Sequence, residues 1–269
     1  RRPEVMGGLH PGEAQGHADL GRDVAYSLYL PDLPAAMSEP ALVLYLLHGP
    51  GGDEKTWTGE DPMLRGPLVG AMHNGTLRPS VLVMPSVGRN SWWIDGAADA
   101  AASAFLEEVM PKVEASLSFP VQRQRRALLG VSMGGFGALQ FALSQPQRFC
   151  AAALISPTVY DPLPPAESAA RRTPQFIRDG QFDEQRWQAA NYPGRLPAYA
   201  RTPQKVAIWI SSGDRDQAGV VRAATQLYAR LHKLQPDRTE LLLMPGGHDW
   251  KTFDASLAPA LAYIDKRCR

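Results

Sequence analysis

The 269-residue chain reads as an α/β fold, with a mostly parallel central sheet and helices on both faces. Three observations predict it. Short apolar runs alternate with segments of helical period, which is the pattern of successive βαβ units. One run passes through Gly130-Val131-Ser132-Met133-Gly134 into a helix-like segment, so a serine stands at a strand-to-helix turn. Three late strand ends carry Ser132, an aspartate-bearing turn and His248, in that order. A parallel sheet collects the carboxyl ends of its strands along one edge, where sites form.

In chain order, residues 1–20 lack periodicity and are expected to form an irregular arm. Residues 24–30 alternate apolar and polar side chains up to Pro31, which predicts a partly exposed strand, and 31–40 is a loop. Residues 41–47 are continuously apolar, the mark of a strand buried on both faces. That run opens into His48-Gly49-Pro50-Gly51-Gly52-Asp53, a loop whose backbone can approach a ligand closely. A short helix is expected over 61–74 and a buried strand over 81–84, ended by Pro85. Loop 90–95 carries two adjacent indoles. Phe105, Leu106, Val109, Val113 and Leu117 give 97–117 the spacing of an amphipathic helix in spite of Pro111.

The serine-bearing strand covers 127–129, its helix 138–144, and the next strand 151–155. From 156 to 204 the periodicity disappears, and Pro, Arg and Ala dominate. A stretch this long inside a compact unit is expected to be a lid or pocket wall rather than a plain surface insertion, with a short helix over 182–190. A strand over 206–210, a helix over 220–234, a strand over 240–244 and a final helix through Leu257, Leu261 and Ile264 complete the pattern. With no repeat and no second core, one domain over 1–269 is expected.

Bulk properties narrow the function. A hydrophobic content of 44% can bury a sizeable core. A net charge of +1 argues against a nucleic-acid binder or a polybasic membrane-surface protein. No apolar run approaches the roughly 20 residues of a membrane helix. The chain opens on Arg1-Arg2-Pro3 rather than methionine, which fits a removed leader and export, periplasmic or secreted, or else a trimmed chain. Two cysteines are too few for a disulfide framework, and six histidines form no ligand cluster, so neither metal nor cofactor is expected.

Serine is a poor nucleophile until a neutral histidine takes its proton and an acid holds that histidine. His248, between glycines and a tryptophan, is the histidine at a late strand end. Asp214 and Asp216 both follow Gly213; the Gly-x-x-Asp spacing favours Asp216 as the acid, with Asp214 serving the turn. Asp249 is a weaker third candidate, because a residue beside the histidine seldom reaches its ring. Acyl transfer also needs donors for the developing oxyanion. The Met133 N–H is one, and loop 48–52 should supply another. Pro50 has no N–H, so Gly51 or Gly49 is expected to do so, or else the hole is incomplete. Trp57, Trp92, Trp93 and Trp250 lie near strand-end loops; singly each fits loop packing, and as a group they predict at least one indole in an aromatic acyl or sugar pocket.

Five segments together resemble the esterase D, feruloyl esterase and antigen 85-like branch of the α/β-hydrolase superfamily, over roughly residues 24–266. They are Leu-Leu-His-Gly-Pro-Gly-Gly-Asp-Glu (46–54), Asn-Ser-Trp-Trp-x-Asp (90–95), Gly-Val-Ser-Met-Gly-Gly-Phe-Gly-Ala (130–138), Gly-Asp-Arg-Asp (213–216) and Gly-Gly-His-Asp-Trp (246–250). The resemblance implies an α/β-hydrolase fold, a Ser132, Asp216, His248 triad and Met133 as an oxyanion donor. The other donor in such proteins follows His-Gly, the position held here by Pro50. Gly-Val-Ser departs from the Gly-His-Ser of S-formylglutathione hydrolases, so a feruloyl-esterase-like member is implied. The implied activity is a serine carboxylester hydrolase acting on a small-molecule or sugar-linked ester. An acyltransferase, a thioesterase and a non-catalytic binding protein on the same fold are the alternatives.

The implied topology puts Cys150 at the sheet edge away from Ser132 and returns the last helix toward Cys268 there. A bridge is feasible if the Cα atoms lie within about 7 Å; two free buried thiols are the other reading.

Overall fold

Residues Leu42–Leu47 form a strand in which every side chain is buried. Alternation sends Val43, Tyr45 and Leu47 into one layer and Leu42, Leu44 and Leu46 into the other. Both faces are covered, which is why the sequence shows an unbroken apolar run there. The computed structural model describes residues 8–11, 15–17, 22–31, 41–57, 62–96, 100–217 and 219–269.

In chain order the strands are β1 (Gly8–Pro11), β2 (Gln15–His17), β3 (Arg22–Leu30), β4 (Leu42–Leu47), β5 (Ser80–Ser86), β6 (Arg126–Val131), β7 (Ala151–Ile155), β8 (Ile177–Arg178), β9 (Gln181–Phe182), β10 (Ala207–Gly213) and β11 (Thr239–Met244). The helices are α1 (Pro62–His73), α2 (Ala101–Ser103), α3 (Met110–Ser116), α4 (Met133–Ser144), α5 (Glu184–Ala190), α6 (Tyr192–Ala200), α7 (Val220–Leu234) and α8 (Trp250–Arg267). The main sheet runs β1-β3-β5-β4-β6-β7-β10-β11, with β2 also on β3. It is parallel from β5 to β11 and antiparallel where β3 meets β5 and β1. Helices α3, α4 and α7 cover one face, and α1 and α8 the other. Among the described residues, no helix is long and apolar enough to cross a membrane.

Several expectations change. The stretch read as an irregular arm adds β1 and β2, paired antiparallel with β3. That pairing joins backbone groups and needs no side-chain alternation, so the sequence carried no sign of it. Residues 1–7, 12–14 and 18–21, and the loop beyond Pro31, lie outside the described residues. Strand β3 is partly exposed as expected: Ser27, Leu28 and Tyr29 are buried, and Ala25, Tyr26 and Leu30 are half-buried. The helix expected over 97–117 is continuous from 101 to 116, but its middle, Ala104–Val109, is a π-helical turn. Pro111 has no N–H and its ring crowds the carbonyl four residues back; the wider turn ahead of it relieves that clash.

The segment from 156 to 204 contains the short helix expected over 182–190, as α5, and more besides. It holds two 3₁₀ turns, the β8–β9 hairpin, α5 and α6. Trp187 anchors it: the fully buried ring packs against Trp92, Phe136 and Phe176, and its Nε1–H donates to the Tyr160 carbonyl at 3.1 Å. Asn191 donates to the same carbonyl at 2.8 Å and accepts from the Tyr192 N–H at 2.9 Å, capping α6. At the opposite edge from Ser132, Cys150 and Cys268 form a disulfide with Cα atoms 5.4 Å apart across a sequence separation of 118.

Candidate active site

The site grows from the turn between β6 and α4. Ser132 sits there at φ 56°, a conformation that L-residues rarely adopt, and α4 begins at the next residue. Glycine is obligatory on either side. A Cβ on Gly130 would lie 2.0 Å from the Gly134 carbonyl oxygen, and one on Gly134 2.0 Å from that of Leu47. The close passage of helix over strand holds the serine at the tip, 6% exposed. Ser132 N–H donates to the Ile155 carbonyl at 2.9 Å, and its carbonyl accepts from Phe136 and Thr158. The strained residue is thereby fixed from three directions. Met133 N–H, the first of the helix, has no acceptor within it.

The ends of β10 and β11 supply the partners. Here too a glycine permits the approach: a Cβ on Gly213 would lie 2.4 Å from the Gly246 carbonyl oxygen. Asp214 and Arg215 donate their N–H groups to the Met244 and Gly246 carbonyls, and the Asp214 carboxylate accepts from the Gly246 N–H at 3.0 Å. Asp214 therefore staples the two loops. Asp216 turns inward instead: its Oδ1 lies 2.8 Å from His248 Nδ1, and His248 Nε2 lies 2.9 Å from Ser132 Oγ. Asp216 is buried, and the His248 ring stands edge-on to Phe253 at 5.1 Å. Asp249 points elsewhere. It caps α8 by accepting from the Thr252 N–H at 2.9 Å, and this bond draws its pKa below the usual carboxylate value.

On the other side of Ser132 lies loop 48–53, where the structure corrects the reading of Gly51 as an oxyanion donor. The Gly51 N–H donates to the Arg89 carbonyl at 2.8 Å and to Asn90 Oδ1 at 3.1 Å. The Arg89 guanidinium in turn donates twice to the Gly51 carbonyl, at 3.0 and 2.7 Å. His48 is fully buried beneath, with Nδ1 2.9 Å from the Gly49 carbonyl oxygen, and burial pulls its pKa below the ordinary value of 6.5.

Among the described residues, two cavities open on Ser132. One, of about 250 Å³, faces the insertion and is bordered by Pro50, Trp92, Thr158, Tyr160, Arg172 and Gln217 among others. Tyr160 there keeps its proton, since burial and then the Asp216 charge push its pKa up to about 12. The other, of about 330 Å³, is bordered by Gly49, Pro50, Gly51, His248, Trp250 and Phe253 among others. Of the four tryptophans expected near a pocket, Trp92 and Trp250 border one. Trp57 and Trp93 border neither of these two cavities: both are buried, Trp57 under the sheet and Trp93 between Phe105 and His48, donating to the His48 carbonyl at 3.2 Å. An indole near a strand end can turn into a packed layer as readily as into a cleft, and these do. Thr158, Tyr160, Arg172, Gln217 and the Arg89–Asn90 clamp escaped the sequence reading, because each reaches the site through tertiary contacts.

This arrangement defines an α/β-hydrolase fold: a serine on a strained strand-to-helix elbow, backed by histidine and aspartate from later strands. The chain belongs to the Esterase family, described as "Putative esterase", whose model matches residues 18–264. Esterase MT1326 of Mycobacterium tuberculosis (strain CDC 1551 / Oshkosh) is 28% identical over 138 residues, 49% of this chain and 29% of that protein. The chain thus spans under a third of that curated relative's length. Among solved structures, a ferulic acid esterase superposes with a TM-score of 0.76 at 20% identity, covering 98% of this chain and 99% of that one. The fluorophosphonate-binding serine hydrolase FphF of Staphylococcus aureus does so with a TM-score of 0.72 at 20% identity, covering 96% and 98%.

Proposed function

We propose that the chain is a serine carboxylester hydrolase working through an acyl-enzyme. One observation carries this reading: the unbroken line Ser132 Oγ, His248 Nε2, His248 Nδ1, Asp216 Oδ1, with both links below 3 Å. In that line Ser132 Oγ attacks the ester carbonyl carbon while His248 Nε2 takes its proton, and the carbonyl oxygen becomes the oxyanion. The buried Asp216 carboxylate stabilises the imidazolium and fixes the tautomer with the proton on Nδ1. Collapse of the intermediate breaks the bond to the alcohol oxygen, which leaves with the proton returned by His248. Water then repeats the sequence on the acyl-enzyme, releasing the acid and free Ser132. Met133 N–H is a donor to the oxyanion in both halves.

The substrate class is a small-molecule or sugar-linked ester with an aromatic acyl group. Supporting this are the Trp92 ring and the hydroxyls of Thr158 and Tyr160 around one cavity, and Trp250 on the other. The chain acts as one domain, with 156–204 as the wall of the acyl pocket. The disulfide supports an exported protein, because such bridges persist in oxidising compartments.

The test is turnover of p-nitrophenyl acetate, p-nitrophenyl butyrate, methyl butyrate and methyl ferulate by wild type and S132A. The expected result is hydrolysis with an initial burst that S132A abolishes, and faster turnover of the feruloyl ester than of an aliphatic methyl ester. Turnover that survives in S132A, or a wild type inert toward the whole panel, overturns the reading.

A further inference from the structure

We propose that Pro50 is the residue that limits turnover in this protein, by leaving the oxyanion with one backbone donor where the fold provides for two. The inference rests on the serine-esterase reading above. Its observations come from the loop beside the elbow. An α/β-hydrolase stabilises the oxyanion with the N–H after the nucleophile and a second N–H from the loop after a neighbouring parallel strand. Here that strand is β4, adjacent to β6, and its loop leans directly on the elbow. A Cβ on Gly49 would lie 3.5 Å from the Val131 carbonyl oxygen and 3.6 Å from Ser132 Cβ. The next residue, Pro50, borders both cavities that open on Ser132. It is therefore the loop residue that faces the reacting carbon from either side, and a ring methylene stands where its hydrogen would be.

Neither of the two glycines that follow it substitutes for it. Gly51 N–H is held by the Arg89 carbonyl and Asn90 Oδ1, and Gly52 N–H donates to the Gly49 carbonyl at 3.1 Å. Turning the Gly51 peptide toward Ser132 would also break the two bonds from the Arg89 guanidinium to its carbonyl. The loop is thus fixed in a shape that presents proline to the oxyanion. The histidine side of the site is complete and the loop side lacks one donor. Removing one such donor from a two-donor hole lowers kcat by about 10²–10³, so restoring one has that much to give. The gain belongs in kcat rather than KM, because the bond strengthens as charge develops.

The experiment compares wild type with Pro50→Ala and Pro50→Gly, both of which regain an N–H. Folding is checked by thermal melting, and Ser132 by stoichiometric labelling with a fluorophosphonate. The expected outcome is a rise of tenfold or more in kcat for p-nitrophenyl acetate in both variants, up to about 10³, with KM little changed. Unchanged or lower kcat in folded, fully labelled variants overturns the proposal and leaves the esterase reading intact. Absence of labelling and of turnover in wild type and variants alike removes both. A measurement on wild type needs no substitution. A trifluoromethyl ketone labelled with ¹³C at its carbonyl forms a Ser132 hemiketal whose oxygen occupies the hole. In a one-donor hole that oxygen takes up a proton within the pH range where the protein stays folded, and the ¹³C shift follows it. An oxygen ionised throughout that range overturns the proposal.

Discussion

The two sides of Ser132 are built by different means. On the histidine side, side chains from two strand ends converge in a line of hydrogen bonds, and the glycine at 213 lets those ends touch. On the loop side, the Gly51 and Gly52 N–H groups and the Gly51 carbonyl are engaged by Arg89, Asn90 and Gly49 rather than left free for the serine. The contrast teaches that loop closeness and donor supply are separate matters. A loop can be held rigidly beside a nucleophile by the hydrogen bonds that remove its donors from use.

The sharpest way to break the comparison is on the complete side. On the proposed mechanism, Asp216→Asn removes the charge that supports the imidazolium and permits the wrong tautomer, and kcat should fall by about 10⁴. Asp214→Asn keeps a side-chain acceptor for the Gly246 N–H in an exposed staple, and should cost about tenfold or less. Steady-state rates of the two variants decide it; a larger loss in D214N than in D216N would reverse the roles of the two aspartates.

Stability provides the next test, because both sides stand on the same sheet. The Cys150–Cys268 bridge closes a long loop at the edge away from the site, so reduction or the double change Cys150→Ser, Cys268→Ser should cost about 2–5 kcal/mol. Urea midpoints with and without reductant measure it. The 156–204 segment has its own anchor in Trp187, and Trp187→Ala should cost about 3–5 kcal/mol.

How much of this was legible depended on the reach of each constraint. The glycines around Ser132 announce themselves because the clash they avoid is local, within a few residues of the serine. The Ser, Asp, His order could be read because each residue ends its own apolar run. Gly51 was misread because its partners are 38 and 39 residues away, in a loop whose sequence shows only two indoles. Trp57 and Trp93 were misread for a related reason: sequence places an indole at a strand end and leaves open which way it turns. Of the insertion's two helices only α5 was expected, because α5 and α6 span 7 and 9 residues, too short for a clear period to show. Its order comes from Trp187, Asn191 and Tyr199 bonding across the chain, Tyr199 accepting from the Val206 N–H at 2.8 Å.

The loop side has a smaller, pH-dependent signature in His48. Burial disfavours its charged form, and the Gly49 carbonyl and the Asp53 and Glu54 charges offset this only in part, so the folded pKa lies below 6.5. The unfolded chain then binds more protons than the native one as pH falls through that value, and stability drops in the same direction. The contribution is whole above about pH 6.5 and is lost progressively below it. Melting temperatures of wild type and His48→Asn between pH 8 and 5 isolate the effect, since asparagine can still donate to the Gly49 carbonyl but does not titrate. Wild type should lose more on acidification than H48N. Equal losses would mean that the ring beneath the loop takes up its proton without resistance, and that the loop is less firmly packed than its hydrogen bonds imply.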